Sequence, residues 1–181
     1  MSEGGGALLD QLSGPCRALS LLESAGVVGG LRWVELGAFA SLGRAATSGG
    51  LPPELAVWAS GASLAHAWRA GQLHSLLPVS AGLPSAAEAT KPPGEDVAEL
   101  VESLAPPSAA TGSPSSGDGP ALFRLYAALT AAYERRAEFA HPSADPPAVR
   151  VFVRLAADTR RIAASFPAST GPAGPSPGGD A

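Results

Sequence analysis

Cysteine is all but missing from this chain: Cys16 stands alone, with no CxxC pair and no histidine companion. That excludes an internal disulfide framework and a Cys-based zinc cluster, and it fits a reducing compartment. Lysine is as scarce. Lys91 is the single one among 12 basic residues, set against 16 acidic ones, and the formal charge of −4 offers no basic excess to neutralise a phosphate backbone. Nucleic acid is therefore an unlikely partner for the whole chain. Arginine in place of lysine, with abundant Ala, Gly and Pro, suggests a high-GC bacterial genome. No stretch reaches the roughly 18 uninterrupted apolar residues of a membrane span, and the opening MSEGGGALLDQLSGP lacks a basic region followed by an apolar run. A soluble, cytoplasmic protein with no membrane association is expected. Also lacking are a strand-borne Gly-rich loop, a GxSxG, an HExxH and a P-loop, so the familiar enzyme signatures give no lead.

What is present is helical periodicity punctuated by proline and glycine. Residues 1–30 read as a weakly helical N-terminal arm, with Leu8, Leu12, Leu19 and Leu22 interrupted at Gly14-Pro15 and closed by Val27–Gly30. LRWVELGAFASLGRAA, residues 31–46, puts Leu31, Val34, Glu35, Ala38, Phe39 and Leu42 on one face. Pro52-Pro53 opens a second helix with a stripe of Leu55, Ala59, Ala62, His66, Ala70, Leu73 and Leu77. Residues 79–119 are rich in Pro, Ser, Gly and acids and predict a flexible acidic loop, in which only Asp96–Leu104 has the pattern for a helical turn or two. A third helix runs from Pro120 to His141-Pro142 on Leu122, Leu125, Leu129 and Ala132, flanked by Tyr126 and Tyr133. A fourth follows Asp145-Pro146-Pro147 with Val149, Phe152, Leu155, Ala156 and Ile162 inward, and residues 167–181 predict a disordered tail. Four helices paired by short links and joined by one long connection predict an all-α fold, a four-helix bundle over residues 31–166 with a crossover through the mid-chain loop.

The segments LRWVELGAFASLGRAA, SLAHAWRAGQLHSLLPV, RLYAALTAAYERR and ADPPAVRVFVRLAADTRR resemble the ferritin-like superfamily, in particular an actinobacterial branch similar to the tRNA-hydroxylase type of di-iron proteins. That resemblance implies a di-iron site with one Glu from each of two helices and a Glu-x-x-His pair from each of the other two. Carried over residue by residue, Glu35 matches the carboxylate of the first helix, His66 the histidine of the second, Glu134 the carboxylate of the third and Asp158 that of the fourth. Two positions depart from the pattern. Ser63 stands where the Glu partner of His66 belongs, and Arg161 stands where a histidine should follow Asp158. A guanidinium repels a metal ion, so the set reads as degenerate, with Arg161 pairing the carboxylates, His66 hydrogen-bonded into the cluster and no cofactor required.

Each of these residues also has a plainer reading. Glu35 reads as a partly buried acid satisfied by an arginine, and His66 as a hydrogen-bonded core histidine. His74 lies near a helix C-terminus, where its charge would favour the carbonyl end. Trp33, Trp58 and Trp68 fit packing rather than an aromatic ligand box. Arg135-Arg136 and Arg160-Arg161 fit solvated faces, and Cys16 a plain thiol. The expected function is a non-catalytic structural or protein-interaction module with an unknown protein partner or as a homodimer. The alternative is a metal-dependent oxidase or hydroxylase related to tRNA hydroxylases, holding iron or manganese on Glu35, His66, Glu134 and Asp158.

Overall fold

A computed structural model describes residues 3–104, 118–140 and 145–167. All regular structure among them is helical: α1 (Glu3–Ser13), α2 (Leu21–Thr47), α3 (Pro53–Ser75), α4 (Ala86–Ala89), α5 (Glu95–Glu102), α6 (Asp118–Phe139) and α7 (Pro146–Ala164). The expected tail from residue 168 on, the end of the mid-chain loop at 105–117 and the His141-Pro142 stop lie outside the described residues.

α2 begins ten residues earlier than its apolar periodicity suggested. Ser20 and Glu23 form a capping box: the Ser20 side chain accepts the Glu23 N–H, and the Glu23 carboxylate accepts the Ser20 N–H at 2.9 Å. Arg17 pairs with the same carboxylate at 2.5 Å. The glycines read as a break, Gly29 and Gly30, sit inside the helix because the chain around α4 crosses there. A Cβ on Gly29 would stand 2.1 Å from the Ala89 carbonyl oxygen, and one on Gly30 would stand 2.9 Å from Pro93 Cβ. Close backbone approach, and not a turn, is what calls for glycine at this crossing.

The N-terminal arm is likewise a docked element. α1 buries Leu8 and Leu12 and lies along α6, where Arg135 reaches Asp10 at 2.6 Å and Ser13 at 3.0 Å. It ends at Gly14, whose φ of +62° is left-handed and favours glycine. Much of the mid-chain segment is ordered as well. α5 buries Val97, Leu100 and Val101, with Leu104 just beyond it. Its start has no capping side chain of its own, so Gln11 of α1 substitutes, accepting the Val97 N–H at 3.3 Å and donating to Asp96 at 2.8 Å. The acidic composition is real but lines only the outer side of a helix whose other side is aliphatic.

α3 and α7 start as read. Pro53 occupies the first turn of α3, and Asp145 accepts the Ala148 N–H at 3.3 Å ahead of Pro146-Pro147. α2 lies along α3 and α6 along α7, giving two helical hairpins linked by the α4–α5 segment. Leu31, Val34, Ala38, Leu73, Leu125, Leu129, Ala132 and Leu155 are fully buried where the hairpins face each other. Among the described residues no helix is long and apolar enough to cross a membrane.

Candidate functional site

In the middle of that apolar interior sits a charged cluster to which all four long helices contribute. Glu35 comes from α2, His66 and Arg69 from α3, Tyr126 and Tyr133 from α6 and Asp158 from α7. Glu35, His66, Arg69 and Tyr133 have no exposure at all. Buried charges on this scale persist only when paired and hydrogen-bonded, and here every lone pair of Glu35 is engaged. Arg69 Nε lies 3.0 Å from both carboxylate oxygens, His66 Nδ1 lies 2.5 Å from Oε2, and Tyr133 donates its hydroxyl to Oε1. The far end of the same guanidinium donates to Asp158 Oδ2 at 2.8 Å. Arg161 closes the chain from outside, 2.5 Å from Asp158 Oδ1, with its own side chain 74% exposed. Two carboxylates and two guanidiniums thus alternate from the core to the surface.

The proton positions follow from the contacts. A separation of 2.5 Å between His66 Nδ1 and a carboxylate oxygen requires a proton between them, so Nδ1 is the donor. Nε2 is then free to accept the Tyr126 hydroxyl at 3.2 Å, and the two rings stack at 5.6 Å between centroids. Arg69 Nη2, 2.9 Å from Nδ1, sets a fixed positive charge against the ring. Burial, with that guanidinium acting in the same direction, outweighs the pull of Glu35 and lowers the His66 pKa below its ordinary value, so the imidazole is neutral. Burial works to raise the Glu35 pKa, but the charge of Arg69 and the bonds from His66 and Tyr133 more than offset it and keep the carboxylate ionised. Asp158 is also held below the ordinary carboxylate range: partial burial is overcome by its bonds to Arg161 and Arg69. Burial and the Glu35 charge push the Tyr133 hydroxyl well upward, so it stays protonated and donates to Glu35.

The sequence-derived set divides at this point. Glu35 and His66, which the apolar periodicity placed inward, converge with Asp158, which the resemblance picked out. Glu134 does not: it lies on the outer side of α6, half exposed, paired with Arg160 across to α7. Arg161 pairs with one carboxylate, not both, because it is at the rim, and the arginine that bridges Glu35 and Asp158 is Arg69. Ser63 donates to the Phe39 carbonyl at 2.9 Å and takes no part. Sequence reasoning missed Arg69, Tyr126 and Tyr133. The signal was present for Arg69, since Ala62, His66, Arg69 and Leu73 follow helical i, i+4, i+7, i+11 spacing, and a basic residue on a buried stripe implies an acidic partner.

These residues do not fit a di-iron or other metal centre. The Glu35 oxygens are already occupied by three donors, a guanidinium fills the space between the two carboxylates, and among the described residues no group of three His, Cys, Asp or Glu side chains is placed to hold a metal ion. Outside the cluster, the rim formed by Asp158 and Arg161 continues into an open recess of about 460 Å³ with Ala65, Trp68, Arg154 and Ala157. Arg154 lies over the Trp68 ring there, its Cζ 4.7 Å from the centroid. Comparison with known proteins returns no match among family models, curated proteins or solved structures.

Proposed function

We propose that the chain is a non-catalytic member of the ferritin-like type of helical bundle, acting in the cytoplasm as a structural or protein-interaction module, with an arginine–carboxylate network where a di-iron site would stand. The observation that carries this reading is the Arg69 guanidinium, fully buried and bonded to Glu35 on one side and Asp158 on the other. A cation built into the chain neutralises the two carboxylates that a metal would otherwise need. The network is also closed to chemistry. His66 has both ring nitrogens engaged, Glu35 has no free lone pair, and neither borders open space where a substrate atom could approach. Its role is to fix how the two hairpins meet, since one misplaced helix would strand several buried polar groups at once.

The test is elemental analysis for iron, manganese and zinc on protein purified without chelator. The reading predicts far less than one metal per chain. Near-stoichiometric metal would overturn it and favour the oxidase or hydroxylase on Glu35, His66 and Asp158.

A further inference from the structure

The exposed face of α3 has a composition that the interior does not explain. Val57, Gly61, Leu64, Trp68 and Gly71 recur at i, i+4, i+7, i+11 and i+14 and form an outward stripe without a single charge, bounded at its start by Glu54. Val57 is 74% and Leu64 68% exposed. The exposed side of α7, by contrast, carries Arg150, Arg154, Arg160 and Arg161, as a solvated helix face should. The two glycines sharpen the point. A Cβ at Gly61 or Gly71 would meet nothing within 4 Å, and neither has a positive φ. Among the described residues nothing requires glycine at either position, and glycine weakens a helix interior. What each provides is a notch in an apolar stripe.

The stripe is complementary to itself. Run antiparallel against a second α3 about a two-fold axis between Ala62 and Ser63, Leu64 faces the Gly61 notch of the second copy, Val57 faces Trp68, and Glu54 falls opposite Gly71. Each large side chain meets a smaller one, the knob-and-hole relation of packed helices, and a two-fold repeats it on both sides. The charges agree with this register. α3 and α7 run antiparallel, as the Arg69–Asp158 and Trp58–Phe166 contacts require, so Arg154 over Trp68 lies level with the end of α3 that Glu54 of the second copy would reach. Neither Glu54 nor Arg154 makes an ion pair among the described residues.

We propose that α3 of one chain docks antiparallel on α3 of a second copy, Leu64 seating in the Gly61 notch and Glu54 pairing with Arg154, to form a two-fold homodimer. This names the partner of the interaction module proposed above and rests on that reading. Two separate measurements distinguish their failures: metal content decides the module, and oligomeric state decides the dimer.

The experiment is sedimentation equilibrium of the full chain across a concentration series, with Gly61→Gln, Glu54→Arg, Arg154→Glu and the double charge swap. The proposal predicts a wild-type dimer and a Gly61→Gln dissociation constant raised roughly tenfold or more, because the added side chain fills the notch. The Tm of the Gly61→Gln monomer should be unchanged or higher, because that side chain enters open space within the chain. Each charge reversal should weaken the dimer, and the double swap should restore it. A monomer at all concentrations would overturn the proposal, as would a dimer whose dissociation constant ignores Gly61→Gln and the charge variants.

Discussion

Two parts of this molecule are held together by opposite chemistry. Where α2, α3, α6 and α7 meet, the interior contains two carboxylates, a guanidinium, an imidazole and two phenols, joined by hydrogen bonds across all four helices. Where α1 and α5 close against α2 and α6, the buried groups are mainly Leu8, Leu12, Val97, Leu100, Val101 and Leu104; the two buried polar side chains there, Ser13 and Arg136, donate to the backbone carbonyls of Leu9 and Pro15 and form no buried network across helices. The aliphatic part gains from every area of apolar surface removed from water and is tolerant of small shifts. The charged part gains little net energy over an apolar filling but loses heavily when one member is removed or displaced. The difference assigns bulk stability to one region and the alignment of the hairpins to the other.

The comparison can be broken most sharply at the guanidinium. Arg69→Met leaves Glu35 buried with no cation and should destabilise the protein by about 3–5 kcal/mol. Arg161→Ala removes the exposed arginine at the other end of the same chain of charges and should cost no more than about 1 kcal/mol. Urea unfolding of the two variants side by side checks both, and equal costs would mean that burial does not set the value of these charges. In the aliphatic region, Leu12→Ala should cost about 2–5 kcal/mol by leaving a cavity under α1. Its effect on hydrogen exchange should concentrate in α1 and α5, whereas Arg69→Met should raise exchange in all four long helices.

Acidification separates the two regions further. His66 is neutral in the folded protein, whereas a free histidine takes up a proton near pH 6.5; Glu35 and Asp158 stay ionised below the range of free carboxyls, near pH 4. In each case the unfolded chain binds more protons as pH falls, so stability declines with falling pH. The loss should begin near pH 6.5 through His66, approach a slope of about 1.4 kcal/mol per pH unit for one proton, and steepen near pH 4. Urea midpoints measured between about pH 7.5 and 5.5 should fall for the wild type, and that decline should flatten in His66→Gln.

Much of this arrangement was legible in the sequence, for reasons that differ by element. α3, α6 and α7 combine a proline or Asp start with a 3.6-residue apolar stripe, so both their existence and their inward faces were readable; His66 and Asp158 lay on such faces, and Glu35 lay on the apolar face of α2. α1 and α5 were under-read because a helix of 8 to 11 residues owes its order to a partner, and neither Leu12 against α6 nor Gln11 capping α5 is a local signal. Gly29 misled for the same reason: glycine as a break and glycine as a crossing point look alike until Ala89 is placed beside it. Glu134 was matched to the ligand set only by analogy, and its place toward the edge of the α6 stripe left a solvent-facing position open; it is there, paired with Arg160. Arg69 was passed over because arginine is expected outside.

The most direct test of the account is a double-mutant cycle between Glu35→Gln and Arg69→Gln, read by urea unfolding of metal-free protein at neutral pH. Glutamine at 35 keeps the shape and one carbonyl acceptor, enough for either His66 or Tyr133, while removing the charge. The account predicts that Arg69→Gln is severely destabilising alone, that Glu35→Gln offsets much of that loss, and that the coupling energy is about 2–3 kcal/mol. Additive effects, agreeing within about 0.5 kcal/mol, would contradict it and mean that Arg69 does not stand in for a metal at Glu35.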